Sequence, residues 1–259
     1  MKILLRFFLL YAIAFMLVLT NVFSFGQNQH TTLQPTLRSQ ETANWCWAAS
    51  GRMIMEFLGH NVAECTEANT YFSRSDCCKI TLCPNPAAPT YDSAGNCIGC
   101  ACGGWPQFDK FGFTFSRTSS AALSWNQLVS QIQSGKPVAF SWRWVCSKPP
   151  CGGHMLVARG IQTVNGSNYV EILDPEPVCT GGTRTITYDE YVQRSGDHTH
   201  WDDFYNITAS SAPPKKPTYA DCLKGCSKDC GGADIHGVGD KQACVAQNKE
   251  CQQRCSKYH

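Results

Sequence analysis

The side chains able to do covalent chemistry converge on one cysteine, one histidine and one aspartate. Cys46 opens the segment Cys46 to Leu58, in which Cys46, Ala49, Met53 and Phe57 recur at spacings of three and four, with Gly59 just beyond. This periodicity predicts an amphipathic helix. A thiolate in its first turn faces unpaired backbone N–H groups and the positive end of the helix dipole, and both favour the anion. His154 follows Gly152-Gly153 and opens the apolar run Met155-Leu156-Val157-Ala158. Asp174 lies twenty residues further on, at the end of Val170-Glu171-Ile172-Leu173. A hairpin turning at Asn165-Gly166 would carry Asp174 back to His154. Thiolate, proton carrier and orienting carboxylate are the parts needed for acyl transfer through a covalent intermediate. His30, His60, His198, His200, His236 and His259 have no Gly-Gly approach leading into an apolar strand.

Cysteine parity points the same way. The chain of 259 residues holds 17 cysteines, so full pairing leaves one thiol over, and Cys46 is the one whose surroundings give a free thiol a use. Cys146 and Cys151 flank Ser147-Lys148-Pro149-Pro150, and a bridge there would rigidify the approach to His154. Cys65, Cys77, Cys78, Cys83, Cys97, Cys100, Cys102 and Cys179 allow four more bridges of open connectivity. Cys97-x-x-Cys100-x-Cys102 also has zinc-like spacing, but disulfides are the better reading for a secreted chain.

The positioning elements follow from the pattern. Trp125 to Gln133 reads as a second helix, with Leu128, Val129 and Ile132 as its apolar stripe and Ser134-Gly135-Lys136-Pro137 as its end. Val138–Val145, Met155–Ile161, Tyr169–Leu173, Thr183–Tyr188 and Phe204–Ile207 favour strands. Helix first and antiparallel strands later is an α+β order. Trp45 and Trp47 read as packing residues; Trp142 and Trp144 alternate on one strand and could touch substrate. Residues 60–104, rich in Cys, Asn, Pro and Gly, read as a disulfide-held insertion with little regular structure.

Lys2 and Arg6, the apolar run Phe7 to Leu19, and the small residues Ser24 and Gly26 read as a signal peptide over residues 1–26. A catalytic domain over 27–209 is then expected, followed by a Pro/Lys linker at 210–218 and a Cys-rich tail at 219–259. In the tail Cys222, Cys226 and Cys230 lie four apart, and Cys244, Cys251 and Cys255 seven and four apart. Each trio falls on one helix face. A stapled helical hairpin with bridges Cys222–Cys255, Cys226–Cys251 and Cys230–Cys244 satisfies both.

Cys46-Trp47-Ala48-Ala49-Ser50 resembles the nucleophile helix start of papain-like cysteine proteases, and Asn44-Trp45-Cys46-Trp47 is closest to papain-fold peptidases secreted by bacteria as effectors. The resemblance covers residues 40–175. It implies a papain-like fold, with a helical half carrying Cys46 and an antiparallel β half carrying His154 and Asp174. It makes Gln40, six residues before Cys46, the oxyanion glutamine. The expected activity is that of a secreted cysteine endopeptidase working through a thioester acyl-enzyme. Ala43 stands where papain has a cysteine, and the short stretch before Cys46 leaves no room for a long inhibitory propeptide. An acyl transferase on the same fold and a catalytically silent binding protein are the alternatives.

A net charge of +2 gives no electrostatic footprint for nucleic acid. The expected partner is a polypeptide substrate, handled by a monomer that is extracellular or periplasmic. No stable membrane association after signal cleavage, no cofactor and no metal are expected.

Overall fold

A computed structural model describes residues 29–147 and 151–210. The signal-peptide assignment, the tail hairpin with its three bridges and most of the linker lie outside the described residues.

The chain runs β1 (His30–Thr32), α1 (Cys46–Phe57), α2 (Glu64–Tyr71), β2 (Thr90–Tyr91), β3 (Cys97–Ile98), β4 (Phe113–Arg117), α3 (Trp125–Gln133), β5 (Val138–Trp144), β6 (Gly153–Val164), β7 (Ser167–Asp174), β8 (Gly182–Thr187), α4 (Tyr188–Val192), β9 (Gln193–Arg194) and β10 (His198–Ala209). This is a mixed helical and antiparallel-sheet fold, as the pattern predicts. Asn165 and Gly166 both take positive φ, 51° and 81°, the backbone that a two-residue hairpin turn between β6 and β7 demands. Ser124 caps α3 in a capping box with Gln127, which fixes where that helix starts.

The main sheet runs β4-β10-β5-β6-β7-β8, with β1 added on β6 and β9 on β10. Its middle strands are buried on both faces, so Met155–Ala158 reads as a continuous apolar run and not as an alternation. Met155 and Val157 pack with Trp45, Trp47, Met53 and Ile54 on the α1 side. Leu156 and Ala158 pack with Leu128, Ile132, Phe140 and Tyr191 on the other. α1 is thereby seated against the strand that carries His154.

The insertion at 60–104 holds more regular structure than its composition predicts. It contains α2 and the small β2–β3 ladder. α2 carries two buried carboxyls, Glu64 and Glu67, where an apolar stripe would be expected. Glu67 lies against Gly51 in the middle of α1, where an added Cβ would come within 2.6 Å of its carboxylate. The glycine leaves room for the buried Glu67 carboxyl between the two helices. Burial pushes the Glu64 carboxyl up to about 8, and it accepts the backbone N–H of Glu41 at 2.8 Å.

Five disulfides are formed among the described residues: Cys65–Cys78, Cys77–Cys100, Cys83–Cys179, Cys97–Cys102 and Cys146–Cys151. Cys97, Cys100 and Cys102 are all consumed by these bridges, which overturns the zinc alternative for that motif. Such a density of disulfides fits an oxidising compartment. No helix among the described residues is long and apolar enough to cross a membrane.

Candidate active site

Cys46 is the first residue of α1, preceded by Trp45 as N-cap. Trp45 offers no side-chain cap, and the first turn contains no acidic residue. The N–H groups that open a helix commonly find such partners, and α1 has neither of these two. Cys46 is half-buried, and it is the free cysteine among the described residues.

The approach to Cys46 is held by the insertion. Asn44, at a positive φ of 63°, turns the chain into the helix and donates its side-chain amide to the Ala101 carbonyl at 3.1 Å. The Trp45 indole donates to the Cys100 carbonyl at 2.7 Å, and the Trp47 indole to the Cys102 carbonyl at 3.2 Å. Both tryptophans are buried, and they pack as expected. The carbonyls they use belong to half-cystines, so two disulfides fix the acceptors that hold the helix start.

His154 sits at the start of β6, paired with Trp142 of β5. Its Nε2 lies 2.6 Å from Asp174 Oδ1. Cys46 is the other neighbour that acts on the imidazole, and it favours the charged ring. Burial opposes a charge on this ring, but the Asp174 hydrogen bond and the neighbouring Cys46 outweigh it and push the imidazolium up to about 10. Asp174 is likewise opposed by burial, and the His154 hydrogen bond, the Glu176 N–H and Arg184 hold its carboxyl below the usual carboxylate range. Glu176 donates to Asp174 Oδ1 at 3.0 Å, and Arg184 Nη2 lies 3.4 Å from Oδ2.

Gln40 is buried, and its side-chain oxygen has no hydrogen-bond partner. Its backbone N–H donates to the Pro175 carbonyl at 3.0 Å, next to Asp174. The loop carrying Gln40 thus meets the strand end carrying Asp174.

Gly153, just before His154, has a packing role. A Cβ on Gly153 would lie 2.1 Å from the Trp142 carbonyl oxygen and 2.9 Å from the Trp201 ring. Gly153→Ala is expected to destabilise the fold by about 1–3 kcal/mol through overpacking, read as a lower thermal midpoint. Trp142 is buried and donates its indole N–H to the Tyr191 carbonyl at 3.1 Å, so it is a core residue. Trp144 is stacked on His154, ring centroids 6.2 Å apart and planes within 9°. Arg184 escapes the sequence pattern. It comes from β8, and only the β7–β8 pairing brings it to Asp174.

A family model described as the Peptidase_C39 like family matches residues 26–207. The chain belongs to that family. The match spans Gln40, Cys46, His154, Asp174 and all five described disulfides. Membership in the Peptidase_C39 like family supports a cysteine-peptidase type of protein acting on polypeptides. No curated protein matches the chain.

Proposed function

We propose that this protein is a secreted cysteine endopeptidase with papain-like chemistry. The observation that carries the reading is His154, held at 2.6 Å by Asp174 and near enough to the free Cys46 for that residue to favour the imidazolium. The Cys46 thiolate attacks the scissile carbonyl carbon. His154, as imidazolium, gives its proton to the departing amine and then takes one from the water that hydrolyses the thioester. Asp174 holds the ring in place. The Gln40 amide and the Cys46 backbone N–H receive the oxyanion. The uncapped start of α1 supports the thiolate, and the disulfides support action outside the cell.

Alkylation tests this reading. The folded protein is treated with iodoacetamide at mildly acidic pH without reductant, and the label is located by peptide mass spectrometry. Selective labelling of Cys46, with cleavage of a proteome-derived peptide library, is the expected result. A Cys46 that stays unlabelled, or labels no faster than an ordinary thiol, would mean that no activated pair exists and that the chain binds without catalysing.

A further inference from the structure

We propose that the Cys83–Cys179 disulfide is a positioning element for the oxyanion site, acting by clamping Gln40. The inference rests on the catalytic reading above. Gln40 lies in a segment without regular structure, so the main chain of a helix or strand does not hold it. Its carbonyl accepts the Cys179 N–H at 3.0 Å, while the carbonyl of the next residue, Glu41, accepts the Cys83 N–H at 3.1 Å. The two half-cystines therefore grip consecutive peptide groups, and the disulfide between them closes the grip. The buried Glu64 carboxyl accepts the intervening N–H of Glu41 at 2.8 Å.

The same clamp reaches Asp174. Residues 175–181 form one loop, which supplies the Pro175 carbonyl to the Gln40 N–H and the Glu176 N–H to Asp174 Oδ1. Thr180 and Gly181 both donate back to the Pro177 carbonyl, at 3.0 and 2.8 Å. Gln40 and Asp174 are thus referenced to a single loop. Cys83–Cys179 is, among the described residues, the bridge that ties the insertion to the β half. Its partners are 96 residues apart, whereas the other four described bridges span 5 to 23. Isolated loop hydrogen bonds open readily. A covalent tie across them keeps a buried amide, whose oxygen has no partner, from turning away.

Two reactions of Cys46 separate this role from general support. Alkylation by iodoacetamide needs the thiolate but forms no oxyanion. Acylation by p-nitrophenyl acetate forms a carbon–sulfur bond, passes through an oxyanion and expels p-nitrophenolate. In the full-length Cys83→Ala/Cys179→Ala variant, the p-nitrophenolate burst should slow about tenfold, a part of the 10²–10³ typical of losing a whole oxyanion donor. Alkylation should stay within about twofold. In a Gln40→Ala background the same pair of changes should cost nothing further. Should the variant not fold, the rates are followed on wild-type protein during graded phosphine reduction, with each bridge's opening quantified by mass spectrometry. Loss of acylation should then track Cys83–Cys179. Equal loss of both reactions, loss tracking another bridge, or an undiminished burst overturns the proposal while leaving the peptidase reading intact. Wild-type protein showing neither reaction overturns that reading and this inference with it.

Discussion

Replacing His154 by alanine is expected to remove selective alkylation of Cys46 and to lower peptide hydrolysis by about 10²–10⁴-fold, the usual weight of a positioned acid–base group. Both losses have one origin. In the proposed mechanism His154 is both the cation facing the thiolate and the proton source for the leaving amine. Cys46→Ala should leave only background hydrolysis, because no covalent route remains. The informative control is His200. It too is buried beside a carboxylate, with Nε2 3.0 Å from Asp203 Oδ2, so a His–Asp pair by itself does not mark the site. Its other nitrogen meets the Tyr191 carbonyl at 2.9 Å, and Asp203 is engaged by the Leu123 N–H and the Tyr191 hydroxyl. His200→Gln should therefore lower the unfolding midpoint and leave the alkylation rate of Cys46 unchanged. If His200→Gln and His154→Ala slowed alkylation equally, the assignment of His154 as the thiolate's partner would be wrong.

The contrast between the two histidines shows what the sequence carried. His154 stood out because local signals agreed around it: a glycine pair, an apolar run, and a tight-turn dipeptide placing Asp174 on the next strand. Those signals depend on residues adjacent in the chain or one hairpin apart, and helix α1, helix α3 and the β6–β7 hairpin were legible for the same reason. Arg184 depends on the β7–β8 pairing, and the acceptors for Trp45 and Trp47 depend on disulfide connectivity. Neither has a local signature. α2 was hidden differently. Its inner face carries Glu64 and Glu67 where periodicity analysis looks for apolar residues, and that face packs against a glycine in α1 that makes room for a carboxylate. Residues 60–104 thus looked like loop because their burial is polar and their restraint covalent.

That restraint changes the meaning of the insertion. Its disulfides supply fixed carbonyls at Cys100 and Cys102 for the indoles beside Cys46, and a fixed anchor at Cys83 for the peptide after Gln40. A long apolar core is not available to so small a segment, and covalent ties give the required precision without one. The precision matters because a reacting geometry tolerates displacements of well under an ångström.

Asp174→Asn is expected to move the alkaline limb of kcat/KM down by about 1–3 pH units, the usual influence of an opposite charge in contact. In the native protein the imidazolium persists up to about 10, since Asp174 and Cys46 both favour its charge. Asparagine keeps an acceptor of the same shape for Nε2 but carries no charge. The proton then leaves His154 at a lower pH, and activity fails there for want of an acid to protonate the leaving amine. The hydrogen bond survives, because an imidazolium bears a proton on each nitrogen and has no wrong tautomer to adopt. Rates below neutrality should consequently fall far less in Asp174→Asn than in Asp174→Ala, which loses orientation as well as charge. pH profiles of the three proteins on one peptide substrate distinguish the two contributions. An alkaline limb that stayed at its native position in Asp174→Asn would mean that Cys46 alone holds the imidazolium proton and that Asp174 acts purely by geometry.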